Sequence, residues 1–138
     1  MITGRSRGRP PALLLAEALV MLAIASLLIA ILPFRRVAAL SARGRQGRAA
    51  NAQEAARLSR AVAAWGRRVP WRAVCFQQGL AAQLMLRRRG LAARLHYGAR
   101  RDEAGMLVAH VWVLSGDVDV IGCDRIERYG LLAVFPPA

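Results

Sequence analysis

The chain has 138 residues, enough for one compact domain with an extension, and its 21 basic residues, all arginine, outnumber 8 acidic ones to give a net charge of +13. Its two cysteines are too few for a disulfide-stapled scaffold, and neither stands in a Cys-x-x-Cys pair, which argues against a zinc ribbon. The arginine excess indicates an acidic partner, a membrane surface or nucleic acid, and the cysteine usage favours a reducing, cytoplasmic compartment.

The N-terminal third is dominated by an apolar run over residues 12–32, which only Glu17 and Ser26 interrupt before Pro33 ends it. About 20 apolar residues are enough to cross a bilayer. Arginines lie on both sides of the run, so they do not define an orientation, and Glu17 would be costly in lipid. The sequence predicts a helix here and leaves two alternatives open: packing on the domain, or association with the inner face of the membrane.

The next segments predict a linker and two further helices. Residues 41–48 are rich in Gly and Arg and indicate a linker, so we expect a division between residues 1–48 and a folded core over residues 49–138. Apolar residues at helical spacing predict helices over residues 51–65 and 74–89, and Gly90 has the position of a C-cap.

After Gly90 the apolar period changes to two, which is typical of strands. We predict strands over residues 91–97, 106–114 and 118–121, with a charged loop over 98–105, a turn over 115–117 and a last apolar piece over 131–135. The order indicates an α+β fold in which N-terminal helices precede a small antiparallel sheet.

Three residues in this arrangement could carry thiol chemistry. Cys75 starts a helix, whose free N–H groups and partial positive charge favour thiolate, the nucleophilic form. His110 lies in the middle of a strand, where it could act as the base. Asp119 lies on the returning strand, across from Leu114 in a tight hairpin, and could orient the histidine. Cysteine, histidine and aspartate in this order predict a catalytic triad of the papain type.

Each of these residues also has a structural interpretation. A lone buried cysteine often packs as a small hydrophobe, and a one-residue slip of the hairpin would exchange Asp119 for Asp124 as the acidic member. A metal site formed by Cys75, His110 and Cys123 has poor ligand spacing, so we expect neither a metal nor a cofactor. We expect His96 to face solvent on the polar side of its strand.

From residue 70 onward the chain resembles the transglutaminase-like leader peptidases of lasso-peptide biosynthesis, in their stand-alone form. The resemblance is carried, in order, by Pro70-Trp71-Arg72-Ala73-Val74-Cys75, Leu86-Arg87-Arg88-Arg89-Gly90, Leu95-His96-Tyr97-Gly98, Ala109-His110-Val111-Trp112-Val113 and Asp119-Val120-Ile121-Gly122, with Pro33-Phe34-Arg35-Arg36 further upstream. It implies a transglutaminase/papain-like core in which a Cys-bearing helix packs on the sheet. Cys75 is then the nucleophile and His110 the base. Some relatives place the acidic member where this chain has Gly122.

The same resemblance implies an activity and partners. The family removes the leader peptide from a ribosomally made lasso precursor, after which a cyclase similar to asparagine synthetase closes the macrolactam. A small leader-recognition protein delivers the precursor in many such systems. The competing interpretations are another acyl transfer by the same residues, and an arginine-rich membrane adaptor or nucleic-acid binder without catalysis. No nucleic-acid-binding motif is present in the sequence, so we expect no nucleic-acid partner.

Overall fold

The computed structural model describes residues 11–41, 46–69, 75–124 and 126–136. Within them, helices precede an antiparallel sheet, which confirms the predicted α+β class. The elements are α1 (Ala12–Ile31), α2 (Phe34–Ser41), α3 (Ala52–Gly66), α4 (Cys75–Arg88), β1 (Arg94–Arg101), β2 (Leu107–Ser115), β3 (Val118–Ile121) and β4 (Gly130–Phe135).

Local signals in the sequence determine where α3 begins and where α4 ends. The Asn51 side chain accepts a hydrogen bond from the Glu54 N–H at 2.8 Å, and the Glu54 carboxylate accepts one from the Asn51 N–H at 2.9 Å. This reciprocal pair satisfies two free donors at the start of α3. At the end of α4, Gly90 adopts a φ of 69°, and the Leu91 N–H reaches the Leu86 carbonyl at 3.0 Å. A glycine is favoured there because side chains resist a positive φ.

The sheet has the strand order β3-β2-β1-β4. The predicted hairpin is confirmed, with Asp119 opposite Leu114 and the returning strand over Val118–Ile121. The predicted loop from residue 98 is wrong, because β1 continues to Arg101 and pairs with β2 along its whole length. Cross-strand hydrogen bonds hold this charged stretch in a strand, although its composition favours a loop.

The core lies between the helices and one face of the sheet. Helix α4 packs directly on β1 and β2: a Cβ built on Gly79 would lie 2.7 Å from Val111 Cγ2 and 3.6 Å from Leu95 Cδ1. Only a glycine lets the helix approach the sheet this closely. Helix α1 packs on the other side of α4 and on α3. Buried residues of α1 and α2 join one core with those of α4 and the sheet, so the core is continuous across residue 48.

Helix α1 is the one helix of the described ranges that is long and apolar enough to cross a membrane. One of its faces is nevertheless packed on the protein, where Ala18, Leu22 and Ala25 are fully buried. The Trp65 indole N–H donates to the Leu15 carbonyl at 2.7 Å, which ties α3 to the same helix.

An ion-pair cluster fastens α1 to the end of α4. The Glu17 carboxylate accepts hydrogen bonds from the two terminal guanidinium nitrogens of Arg89, Nη1 at 2.7 Å and Nη2, and lies 3.1 Å from Arg88 Nε. The hydrogen bond from Arg89 is the main reason that the pKa of Glu17 falls below its usual 4.5. Because the folded protein lowers this pKa, the pair stabilises the fold fully above pH 4.5, and the contribution is lost as the pH falls through the lowered value.

Replacing Glu17 by glutamine is therefore expected to destabilise the protein at neutral pH and not in acid. We expect a loss of about 1 kcal/mol at pH 7, or roughly 3–4 °C in Tm, because the arginines remain partly in water. Thermal unfolding is followed at pH 7 and at successively lower pH. The difference in Tm between the variant and wild type should decrease below pH 4.5. Glu103→Gln, at an exposed loop position, is the matched control and should leave Tm unchanged at every pH. A difference in Tm between Glu17→Gln and wild type that stays constant with pH would contradict this role of Glu17.

Candidate active site

Cys75 is the first residue of α4, so its backbone N–H is among those that have no partner within the helix. The side chain is partly buried and packs against the core. The next residue fixes this end of the helix: the Phe76 ring lies 5.0 Å from that of Phe34 in α2 and 6.0 Å from that of Tyr97 in β1, measured between centroids. The resemblance segment over residues 70–74 lies outside the described residues.

His110 lies on β2, and one of its ring nitrogens makes a hydrogen bond to the backbone. Nε2 is 2.7 Å from the carbonyl oxygen of Gly122, just beyond the end of β3. A carbonyl can only accept, so Nε2 carries the proton and the Nδ1 of a neutral ring is the free, basic nitrogen. The ring also stacks on Tyr129, 5.1 Å between centroids, and on Trp112, at 6.0 Å. These contacts hold the imidazole in one orientation.

Cys75 and His110 approach the sheet from opposite sides. Val111 lies under α4, in contact with the position of Gly79. Successive residues of a strand face opposite sides, so His110 projects from the face that α4 does not cover. Its ring partners, Trp112 and Tyr129, lie on that face with it. In the described part of the chain no hydrogen bond joins Cys75 to His110, and the structure does not bring the two predicted residues together.

The predicted acidic member lies away from the histidine. Asp119 is exposed and opposite Leu114, and Leu114 is four residues along β2 from His110, a distance of about 13 Å. Asp124 is also exposed. The group that contacts His110 is the Gly122 carbonyl, at the position where some relatives carry the acid. Gly122 has a φ of 73°, and a Cβ there would lie 2.7 Å from the Val111 carbonyl oxygen. Asp119 and Asp124 both remain candidates.

The ring stack extends beyond His110 along the same face of the sheet. His96, across from Trp112 in the register, stacks on it with 5.6 Å between centroids. The Arg100 guanidinium lies 5.4 Å from the centre of the Tyr129 ring. His96 is therefore partly buried rather than simply solvent-facing, and burial is the main cause that lowers its pKa. Sequence reasoning missed Tyr129, because the turn that carries it has no periodic pattern.

The second cysteine has a different environment. Cys123 is partly buried, and its thiol lies 3.5 Å from the carbonyl oxygens of Val113 and Ile121. Burial is the main cause that raises the pKa of this thiol, so it stays protonated, and hence a poor nucleophile, to higher pH. Within the described ranges, no three His, Cys, Asp or Glu side chains are grouped so that they could hold a metal ion.

Gly122→Ala is expected to release the His110 ring, because the added Cβ would force the Gly122 backbone away from Val111. Nitrogen-15 NMR of the ring should change from a single Nε2–H form to a mixture of tautomers, with a loss of about 1–2 kcal/mol in stability. Gly116→Ala is the matched control: its φ is 59° and its Cβ would lie 2.7 Å from Ala49 Cβ, in the turn of the same hairpin. It should cost similar stability and leave the His110 spectrum unchanged. An unaltered His110 spectrum in Gly122→Ala would show that the carbonyl does not orient the ring.

Comparison with known proteins yields one match. The family model described as the transglutaminase-like superfamily matches residues 18–134, which include most of α1, all of α4 and the sheet apart from the last residue of β4. No curated protein and no solved structure matches the chain.

Proposed function

The chain belongs to the transglutaminase-like superfamily, and from this premise we propose that it is a cysteine peptidase that removes the leader from a lasso-peptide precursor before macrolactam closure. The observation that carries the catalytic part is the 2.7 Å contact between His110 Nε2 and the Gly122 carbonyl. It leaves Nδ1 as the basic nitrogen, in a chain of this family that also has a cysteine at a helix N-terminus.

The chemistry would proceed through a thioester. His110 Nδ1 accepts the Cys75 thiol proton, and the thiolate attacks the scissile carbonyl carbon to form a C–S bond. The negative charge develops on the carbonyl oxygen, where the free N–H groups at the start of α4 could stabilise it. The C–N bond then breaks, and the imidazolium gives its proton to the leaving amine. Water hydrolyses the thioester, releasing the leader as a carboxylic acid and restoring the thiol.

This mechanism requires the thiol and the imidazole to meet. They lie toward opposite faces of the sheet in the structure, so separate variants at Cys75 and His110 are needed to test whether both take part in the reaction. Asp119 and Asp124 remain the candidates for the acidic member, and the group that contacts the ring in the structure is the Gly122 carbonyl. It is a neutral acceptor, and it holds the tautomer without adding a charge beside the ring.

The lasso precursor is proposed from the resemblance of residues 70–122 to lasso leader peptidases, and the charge of the chain supports it. Arginine is well suited to bind the carboxylates of a peptide, and the net charge of +13 would attract an acidic leader or an acidic leader-recognition protein. The proposal includes an asparagine-synthetase-like cyclase as the next enzyme, acting on the free amine that cleavage exposes.

The test is mass spectrometry of a lasso precursor after incubation with this protein and a leader-recognition partner in water enriched in oxygen-18. We expect a free leader that carries one heavy oxygen in its new carboxyl group, and no such product with Cys75→Ala. A primary amine is also added to the reaction. If the released leader ends in an amide of that amine instead of a carboxylic acid, the activity is amide transfer. Absence of any product from wild type with the partner present would favour a non-catalytic adaptor.

A further inference from the structure

Helix α1 is apolar on all sides except at Glu17 and Ser26, yet the protein covers only one side of it. Ala18, Leu22 and Ala25 are fully buried against the domain. On the opposite side large aliphatic side chains are between 40% and 86% exposed. They form what we call the outer stripe: Leu13, Val20, Ile24, Leu27 and Ile31.

The outer stripe is one straight line along the helix. From Val20 to Ile31 its members are separated by four, three and four residues, close to whole numbers of helical turns, so these four project in one direction. Leu13 lies on the same side but is separated from them by Glu17, which pairs with Arg88 and Arg89. A helix that is apolar all round normally lies in a protein core or in a membrane. Here the core accounts for one half only, and the other half is a contiguous apolar surface of the kind that marks an interaction site.

One arginine lines part of this surface, and two more follow α1 directly in the chain. Arg35 and Arg36 are exposed at the start of α2, directly after α1. Arg68, also exposed, lines a shallow apolar groove that Val20 and Ile24 form with the end of α3. Guanidinium groups bind phosphate oxygens in a bidentate way. An apolar strip beside arginines therefore matches an anionic phospholipid surface, in which acyl chains contact the strip and headgroups contact the arginines.

The packing of α1 on the domain determines how it would meet the membrane. To span a bilayer the helix would have to expose Ala18, Leu22 and Ala25 to lipid, and Glu17 would have to leave its arginines. We propose that α1 stays on the domain and lies in the plane of an anionic bilayer, with the outer stripe in the interfacial layer. The proposal is independent of the peptidase activity.

Vesicle flotation of the full chain tests this. We expect binding to vesicles of phosphatidylcholine with phosphatidylglycerol, much weaker binding to phosphatidylcholine alone, and a decrease with salt. The double variant Ile24→Glu, Leu27→Glu should reduce partitioning by roughly tenfold or more, because two aliphatic contacts are lost and two negative charges added. The matched control is Met106→Glu, Leu107→Glu, at two exposed apolar residues in and beside β2, which should bind like wild type. Circular dichroism melting should show both double variants folded.

Three results would overturn the proposal. The first is equal binding of the stripe variant and wild type, or no binding of either to anionic vesicles. The second is retention of the protein on vesicles after an alkaline carbonate wash, since that indicates a spanning helix. The third is a wild-type dimer in analytical ultracentrifugation that the stripe variant abolishes, because the outer stripe is then covered by a second copy.

Discussion

Replacing Cys75 by serine is expected to reduce peptide cleavage by roughly 10³-fold or more, because the variant loses the only atom that the mechanism uses as a nucleophile. Serine is nearly isosteric, so α4 and its contacts with α2 and β1 should be retained. The rate of leader release, measured by mass spectrometry at saturating precursor, gives the effect directly, and thermal unfolding confirms that the variant is folded.

Cys123→Ser is the matched control for this experiment. A serine hydroxyl can donate to the same Val113 and Ile121 carbonyls as the thiol, and the raised pKa of Cys123 already argues against a nucleophilic role. Cleavage by this variant should stay within about twofold of wild type, as expected when no contact of the reaction is removed. Undiminished cleavage by Cys75→Ser would remove Cys75 from the mechanism.

His110→Gln is expected to give the second large effect, a loss of about 10²–10⁴-fold. The glutamine amide can still donate a hydrogen bond to the Gly122 carbonyl, so the variant keeps the local contact and loses only the base. A pH–rate profile separates a chemical role from a structural one: the profile of the variant should differ in shape from that of wild type.

The other histidine provides the control. His96→Gln removes a ring that also stacks on Trp112, but His96 contacts the Arg94 carbonyl and does not reach Gly122. Its cleavage rate and pH profile should be close to those of wild type. If both histidine variants lose activity equally, with unchanged pH profiles, the ring stack stabilises the sheet and another group supplies the base.

The sequence predicted the elements around the candidate site because their signals are local. Alternating residues after Gly90 identify β1, and the Ser-Gly-Asp turn identifies the hairpin of β2 and β3. The helix beginning at Cys75 ends at its glycine cap. Helix α2 also has a local signal in the sequence, because Phe34, Val37, Ala38 and Ser41 face the core at helical spacing.

The remaining features depend on tertiary contacts. Alternation along β2 places His110 and Val111 on opposite faces, but it cannot say which face α4 covers; the fit of Gly79 against Val111 decides that. The acceptor for His110 is a backbone carbonyl, which no residue type reveals in a sequence. Side-chain chemistry therefore points to Asp119 as the acidic member, while the contact from the Gly122 carbonyl could not be read from residue types.

The most direct test of the account is to find which thiol reacts with a substrate-like electrophile. The full chain is incubated with a leader peptide that ends in a chloromethyl ketone, and the alkylated residue is mapped by mass spectrometry of tryptic peptides. The account predicts rapid alkylation of Cys75, slow alkylation of Cys123, and a strong decrease at Cys75 in His110→Gln. Equal modification of both cysteines, or a rate at Cys75 that His110→Gln leaves unchanged, would contradict a Cys75–His110 peptidase.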